Sequence, residues 1–372
     1  MKKSLLAMAV AAALPAVATA QVEIFGVLDT GYQNVKQGSV KKNQVSSSGL
    51  SSSQLGFRGV EKIGNDMHAG FWFESQIWGD APQAVNFVRR QTVDFGGSWG
   101  AIRLGRDYTP SFWNHTAFDP FGTLGSGAGS NITGVGQNAV TAARTNNGIS
   151  YLYGYAPNAA SVTGSGIYVF ATYAPGEQLT PLAVGKAQAS QYTGIRVGYR
   201  EGPINVALAT AEIQTDTAGK KDGEWNIGGS YTMPMATIMA KYGKNKCTVA
   251  ANTTSCGGAA GSNTALIAAG EYTWWSIGAS VPVGAHSIRA SINAADNNAN
   301  SQEATQFAIG YIHNFSKRTA AYATYSRIDN NATGLYTFNG GNGGFGAGFA
   351  TAKANIEGKD GTAFDIGLRH SF

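Results

Sequence analysis

Charge is scarce in this 372-residue sequence. Asp, Glu, Lys and Arg together make up 13% of it, about half of ordinary usage. Lys and Arg number 27 against 22 Asp and Glu, without the clustered basic runs that a nucleic-acid partner requires. Past residue 20 there is no stretch of about 18 uninterrupted apolar residues, which excludes a helical membrane span. The five histidines, at 68, 115, 286, 313 and 370, show no metal-ligand spacing, and no H-E-x-x-H occurs. "GSGAGS" (125–130) lacks the Gly-Lys-Ser/Thr of a phosphate loop. No motif for bound Ca²⁺ is found, and no cofactor or metal is expected. Cysteine is limited to Cys247 and Cys256, in "KCTVAANTTSC". Their spacing fits no common zinc motif. In an oxidising compartment a local loop disulfide is expected, with two reduced cysteines as the alternative.

What is present begins with "MKKSLLAMAVAAALPAVATA". Lys2 and Lys3 form a positive n-region, Leu5 to Val17 an apolar h-region, and Ala18-Thr19-Ala20 a cleavage site. This reads as a secretory signal peptide, residues 1–20, because the apolar stretch is too short to span and Pro15 interrupts it. The remaining chain, 21–372, reads as a single domain.

Alternating segments of about ten residues recur along that domain. "PINVALATAEI" places Ile204, Val206 and Leu208 on one face; "GEWNIGGSYTM" does the same with Trp225, Ile227 and Tyr231. "TQFAIGYIHNF" sets out Phe307, Ile309, Tyr311 and Phe315. The opposite faces are largely Gly, Ala, Ser, Thr and Asn rather than charged, which suits a crowded lumen more than the wet side of a soluble sandwich. Short connectors, at 61–66, 96–100, 200–203, 233–235, 281–284 and 315–319, alternate with longer polar ones at 36–48, 79–85, 109–143, 175–187, 215–222, 246–267, 295–302 and 330–358. That asymmetry predicts an all-β transmembrane antiparallel barrel of sixteen strands, with short periplasmic turns and long extracellular loops. A sheet in lipid cannot keep a free edge. The terminal strand "GTAFDIGLRHSF" must therefore pair with the opening strand "QVEIFGVLDTGYQNV".

Several stretches, in order, resemble the general-diffusion porins of Gram-negative outer membranes, particularly the β-proteobacterial branch. They are "VEIFGVLDTGY", "SSQLGFRGVEKIGNDMHAGFWFES", "RRQTVDFGGSWGAIRLGRDYTP", "DPFG" (119–122), "RTNNGISY" (144–151) and "IGLRHSF". The resemblance implies a homotrimer of water-filled barrels in the outer membrane, in contact with lipid and lipopolysaccharide, that passes small hydrophilic solutes. It implies that the third loop, 109–143, folds inward to narrow the channel. It also implies that the terminal Phe372 is recognised by the barrel-assembly machinery.

The resemblance further places an arginine ladder on the wall opposite that loop. Matched residue by residue, Arg89, Arg106 and Arg144 take lumen-wall positions. Arg58 joins them by alternation, since Leu55 and Phe57 occupy the other face. An arginine usual in the family at position 54 is Gln54 here. Arg90, next to Arg89, is expected to face outward with Asp94 at a subunit contact. The opposing acids are Asp119, alone within the loop, Asp107 just before it, and Glu74 and Asp29 on the wall. Pro120 stands where cation-preferring relatives carry an acid. Guanidinium groups stay charged at any physiological pH, and a narrow throat screens them poorly, so anion preference is expected. A barrel enzyme, a substrate-specific channel with an aromatic track and a soluble β protein are the alternatives. No catalytic motif supports the first, and the aromatics, falling mainly on the lipid parity, argue against the second.

Overall fold

The computed structural model describes residues 21–79, 84–133, 143–158, 162–176, 191–214, 221–247, 270–298, 301–338 and 353–372. The strands in the first part are β1 (Gln21–Gln37), β2 (Val40–Ser47), β3 (Gln54–Gly64), β4 (Met67–Gln76), β5 (Arg90–Gly97), β6 (Gly100–Tyr108), β7 (Arg144–Tyr153) and β8 (Gly166–Ala174). They continue as β9 (Tyr192–Glu201), β10 (Ile204–Gln214), β11 (Lys221–Thr232), β12 (Thr237–Cys247), β13 (Gly270–Val283), β14 (His286–Asn297), β15 (Gln302–Asn314), β16 (Thr319–Asn330) and β17 (Gly361–Ser371). Among the described residues two α-helices, α1 (Pro110–Ala117) and α2 (Lys353–Ile356), interrupt the series.

All strands pair antiparallel in one sheet that closes on itself. The seventeen segments make a sixteen-stranded barrel, because β2 and β3 share one flank of β1. Gln21–Val27 pair with β3 and Thr30–Gln37 with β2. The polar stretch 36–48, expected to be a long loop, is instead a hairpin turning at Gly38 (φ +55°). Polarity on both faces conceals it: Gln33 lies opposite Gln44, and Asn34 opposite Asn43. The real interruption is 48–53, which folds back onto Asp29. The Asp29 carboxylate accepts the Leu50 and Ser51 N–H groups at 2.7 and 2.6 Å and the Tyr322 hydroxyl at 2.7 Å.

Alternation sets the two sides of the wall. On β1, Val22, Ile24, Leu28 and Tyr32 point outward, whereas Asp29, Gln33 and Gln37 are buried inside. The outward set continues around the barrel through Leu104, Ile149, Val197, Leu208, Ile227, Ile277, Phe307 and Ile366. The seam is closed as lipid requires. β17 pairs with β1 from Val27 opposite Ser371 to Gln37 opposite Gly361. Gly26 and Phe372 exchange both backbone hydrogen bonds, at 3.1 and 3.0 Å.

"GGSWG" (96–100), which also spells G-x-S-x-G, is the β5–β6 hairpin; no helix follows it as a nucleophile elbow needs. Cys247 is buried at the end of β12, and Cys256 lies outside the described residues, as do residues 1–20, expected from the sequence to be a signal peptide.

At the end of β6 a bulge falls between Gly105 and Asp107. Gly105 adopts φ +122°, and a Cβ there would collide with the Gln91 carbonyl oxygen. Gly105→Val is therefore expected to cost at least about 1–3 kcal/mol. The folded, heat-modifiable band on unheated gels should convert at a lower temperature; an unchanged conversion temperature would show that the bulge accepts a side chain.

Candidate functional site: the channel constriction

The third loop leaves β6 at Thr109 and returns at Ala143, its neck closed by the Thr109 N–H bond to the Ala143 carbonyl at 3.0 Å. Pro at the first helical position starts α1, and α1 lies inside the barrel against β8–β11. From there the chain follows the inner wall as far as β17, held by a series of side chains. Asn114 donates to the Ala207 carbonyl at 3.1 Å and to Asn226 at 2.8 Å. His115 Nε2 lies 2.5 Å from Glu224. Burial holds the imidazole below its ordinary range against the pull of Glu224, so at neutral pH it is an uncharged donor to the carboxylate.

Asp119 accepts the Phe121 and Gly129 N–H groups at 2.8 and 3.0 Å and pairs with Lys241 at 2.8 Å, both side chains at most 1% exposed. Lys241 also donates to the His115 carbonyl at 3.0 Å. Arg289 donates to the Pro120 carbonyl at 3.0 Å and covers the Phe121 ring at 4.6 Å. At the far end Ser126 N–H donates to Asp365 at 2.8 Å, and Gln306 donates to the Ser126 carbonyl at 2.9 Å. Many aromatics face inward here, among them Phe118, Tyr168, Phe170, Tyr192 and Trp274. They are buried, several of them packing the loop to its wall, rather than forming an exposed track.

The stretch of wall that the loop leaves uncovered carries the arginines. Arg58 faces in from β3, bonded through Nε and an Nη to both oxygens of Glu23 at 2.6 and 2.8 Å, and stacks over Phe25 and Trp72. Arg89, immediately before β5, is buried against Glu74 at 2.5 Å and donates to the Tyr108 hydroxyl at 2.7 Å. Arg144, opening β7, covers the Tyr108 ring at 4.3 Å and donates to the same hydroxyl at 2.7 Å. Arg89 and Arg144 thus converge on one phenol, and among the described residues Arg144 has no carboxylate in ion-pair contact. Gln54 is half-buried on the same face as Arg58.

Two expectations are corrected. Arg106 does not line the lumen: it takes the outward parity of its register partner Gln91 and donates to the Val88 carbonyl and to Asn146. Local alternation, with Ile102 and Leu104 outside, outweighs the family match. Arg90 and Asp94 face inward, not toward a subunit contact. β5 starts at Arg90, so Arg89 lies before the alternation and cannot set its parity. Arg90 lies over Trp72 at 4.3 Å and 3.5 Å from Asp107, which also binds Arg103 at 2.9 Å; Asp94 lies 3.9 Å from Arg103.

The four acids expected to oppose the ladder are engaged structurally. Asp29 holds 48–53, Glu74 holds Arg89, Asp107 holds Arg90 and Arg103, and Asp119 holds the loop itself. The lumen also holds Glu23, Arg103, Arg196, Lys241 and Arg289, none of them expected there from the family match. Alternation marks all five: Glu23 lies between Val22 and Ile24, Arg103 between Ile102 and Leu104, and Arg196 between Ile195 and Val197, while Lys241 precedes the outward Tyr242 and Arg289 follows the outward Ile288.

Comparison with known proteins agrees with this architecture. A family model described as Gram-negative porin matches residues 6–333, and the chain belongs to that family: it is an outer-membrane β-barrel channel protein. It is 33% identical to outer membrane porin protein 32 of Delftia acidovorans across 100% of both chains, and 25% identical to an outer membrane porin protein of Bordetella pertussis, again end to end. Among solved structures it is similar to the anion-selective porin from Comamonas acidovorans, with 28% identity, a TM-score of 0.76, and coverage of 95% of this chain and 100% of that one.

The two central arginines should respond differently to substitution. Arg89→Gln leaves the buried Glu74 without its charge partner and is expected to cost about 3–5 kcal/mol. Arg144→Gln breaks no ion pair and should cost less, about 1–2 kcal/mol for the lost stacking over Tyr108 and the bond to its hydroxyl. Thermal conversion of the folded band in detergent reads both; equal losses would show that Glu74 does not depend on Arg89.

Proposed function

We propose that the chain is a passive, anion-preferring diffusion channel for small hydrophilic solutes, with its selectivity set where Arg89 and Arg144 meet around Tyr108. The observation that carries this reading is the charge balance there. Glu74 neutralises Arg89, whereas Arg144 lacks an acid in contact among the described residues, and the carboxylates of the third loop and adjoining wall are turned to structural bonds. An uncompensated guanidinium in a narrow throat attracts anions and repels cations. The similarity to a solved porin described as anion-selective supports the same sign.

By family resemblance the functional unit is a homotrimer in contact with lipopolysaccharide. The terminal Phe372, docked at the seam, serves as the signal read by the assembly machinery. Residues 1–20 are the leader removed on export, residues 21–372 form the mature single-domain barrel, and Cys247 pairs with Cys256 in the loop between β12 and β13.

The test is the zero-current potential of the purified protein in a planar bilayer under a KCl gradient. Its sign should report chloride preference. Arg144→Gln should move it toward zero, and further than Arg58→Gln does, because Arg58 is already matched by Glu23. Cation preference in the native protein would overturn the charge assignment. Absence of conductance from folded protein would overturn the open pore.

A further inference from the structure

The β7–β8 connection departs from the pattern on its side of the barrel. Its neighbours there are tight turns, at 65–66, 98–99 and 202–203, but this one runs from 154 to 165. The chain is pinched at its base, where Ser165 N–H donates to the Gly154 carbonyl at 2.9 Å. Gly154 supplies the required bend with φ +78°, and a Cβ there would meet the Ile167 carbonyl oxygen. The described residues of this excursion, 155–158 and 162–164, lie inside the barrel. Tyr155 packs its ring 5.7 Å from Tyr168 and 6.4 Å from Phe170, both of the inward face. Asn158, 6% exposed, donates to the Gly59 carbonyl at 3.1 Å and to that of Phe71 at 3.0 Å. Gly59 and Phe71 are register partners on β3 and β4. To reach them from β7 the excursion crosses the inner side of β5 and β6, the strands that carry the buried set Arg90, Asp94, Arg103 and Asp107.

Arg196 joins this excursion to the third loop. It is 0% exposed and, among the described residues, has no carboxylate in ion-pair contact. Its hydrogen bonds go instead to neutral acceptors on both inward segments. Nε donates to Asn114 of α1 at 2.6 Å. One Nη donates to the Val162 carbonyl and, at 3.4 Å, to the Tyr155 hydroxyl; the other reaches Tyr168 at 3.4 Å. A buried cation without an acid is costly unless its donors are met by fixed acceptors. Apart from Tyr168 on β8, those acceptors lie on two segments that leave opposite ends of the barrel.

We propose that residues 154–158 and 162–165 of this connection form a second narrowing of the channel on the short-turn side, and that Arg196 is the positioning residue that holds them and the third loop as one body. The inference rests on the chain being a water-filled pore. Solutes then pass two successive limits, the first set by the third loop and the second by the excursion anchored at Asn158. The size cut-off therefore depends on the side from which a solute enters.

The experiment measures single-channel conductance of oriented barrels with uncharged polymers of graded size added to one compartment only. Three variants are compared: a chain in which 155–164 is replaced by an Asn-Gly turn, Asn158→Ala, and Arg196→Gln. With polymer on the short-turn side, the shortened chain should admit larger polymers than the native protein, and Asn158→Ala should shift the cut-off in the same direction. From the long-loop side both should match the native protein, because Arg196 still bonds Asn114 of the third loop in both. Arg196→Gln should shift both cut-offs. Native cut-offs on the short-turn side in Asn158→Ala and in a heat-modifiable shortened chain would overturn the second narrowing and leave the pore intact. A shift on one side only in Arg196→Gln would overturn the coupling. A native protein that passes no current would overturn the pore reading instead.

Discussion

In lipid every backbone N–H and C=O must find its partner within the protein, since an unmet group there costs several kcal/mol. That requirement closes the sheet, and the remaining features follow from closure. A closed sheet has an inside whose contents need not be hydrophobic, so alternate residues are free to be Asp29, Gln33, Arg103 or Lys241 while their neighbours face hydrocarbon. The same requirement makes the two-part flank of β1 workable. β2 and β3 each continue the ladder, and the break between them faces inward, where the Asp29 carboxylate supplies acceptors for Leu50 and Ser51.

Within the lumen, opposite charges have separated into two kinds of work. The carboxylates are almost all turned toward something fixed: backbone N–H groups, a lysine, a tyrosine hydroxyl or an arginine. Several cations are equally fixed, and Lys241, Arg196 and Arg289 act as pins for inward segments. What remains for passing ions is the imbalance, concentrated near Tyr108, where two guanidinium groups share one hydroxyl and only Arg89 has an acid beside it. Selectivity in such a channel is a difference left over from structural charge pairing, not a dedicated set of residues standing apart from it.

The barrel is legible in the sequence because the apolar parity is strong wherever the wall meets lipid; Ile204 to Leu208 and Phe307 to Tyr311 can be assigned on sight. Legibility is lowest where that pressure is absent. Residues 36–48 are polar on both faces and pass for a loop, although they are paired. A family match places Arg106 inside, against the local pattern of Ile102 and Leu104, and the local pattern wins. Arg90 is turned the wrong way by any count that begins one residue before the strand does. The inward course of residues 154–158 is set by positive φ at Gly154 and at Asn158 and by contacts with strands distant in sequence. A stretch reading "GYAPNAASVTGSG" carries no local sign of which way it turns.

The tethers of the third loop have a consequence for the order of assembly. The loop is made early in the chain, but its fastenings come from β9 onward, and the outermost is Asp365 on the final strand. Until that strand is in place, the tip at Ser126 lacks its carboxylate anchor. Synthesis order and fastening order therefore run in the same direction, and the aperture takes its final shape only when the last strand is zipped to the first. A barrel stalled short of closure is not a smaller version of the channel but an unfinished one, its filter still loose.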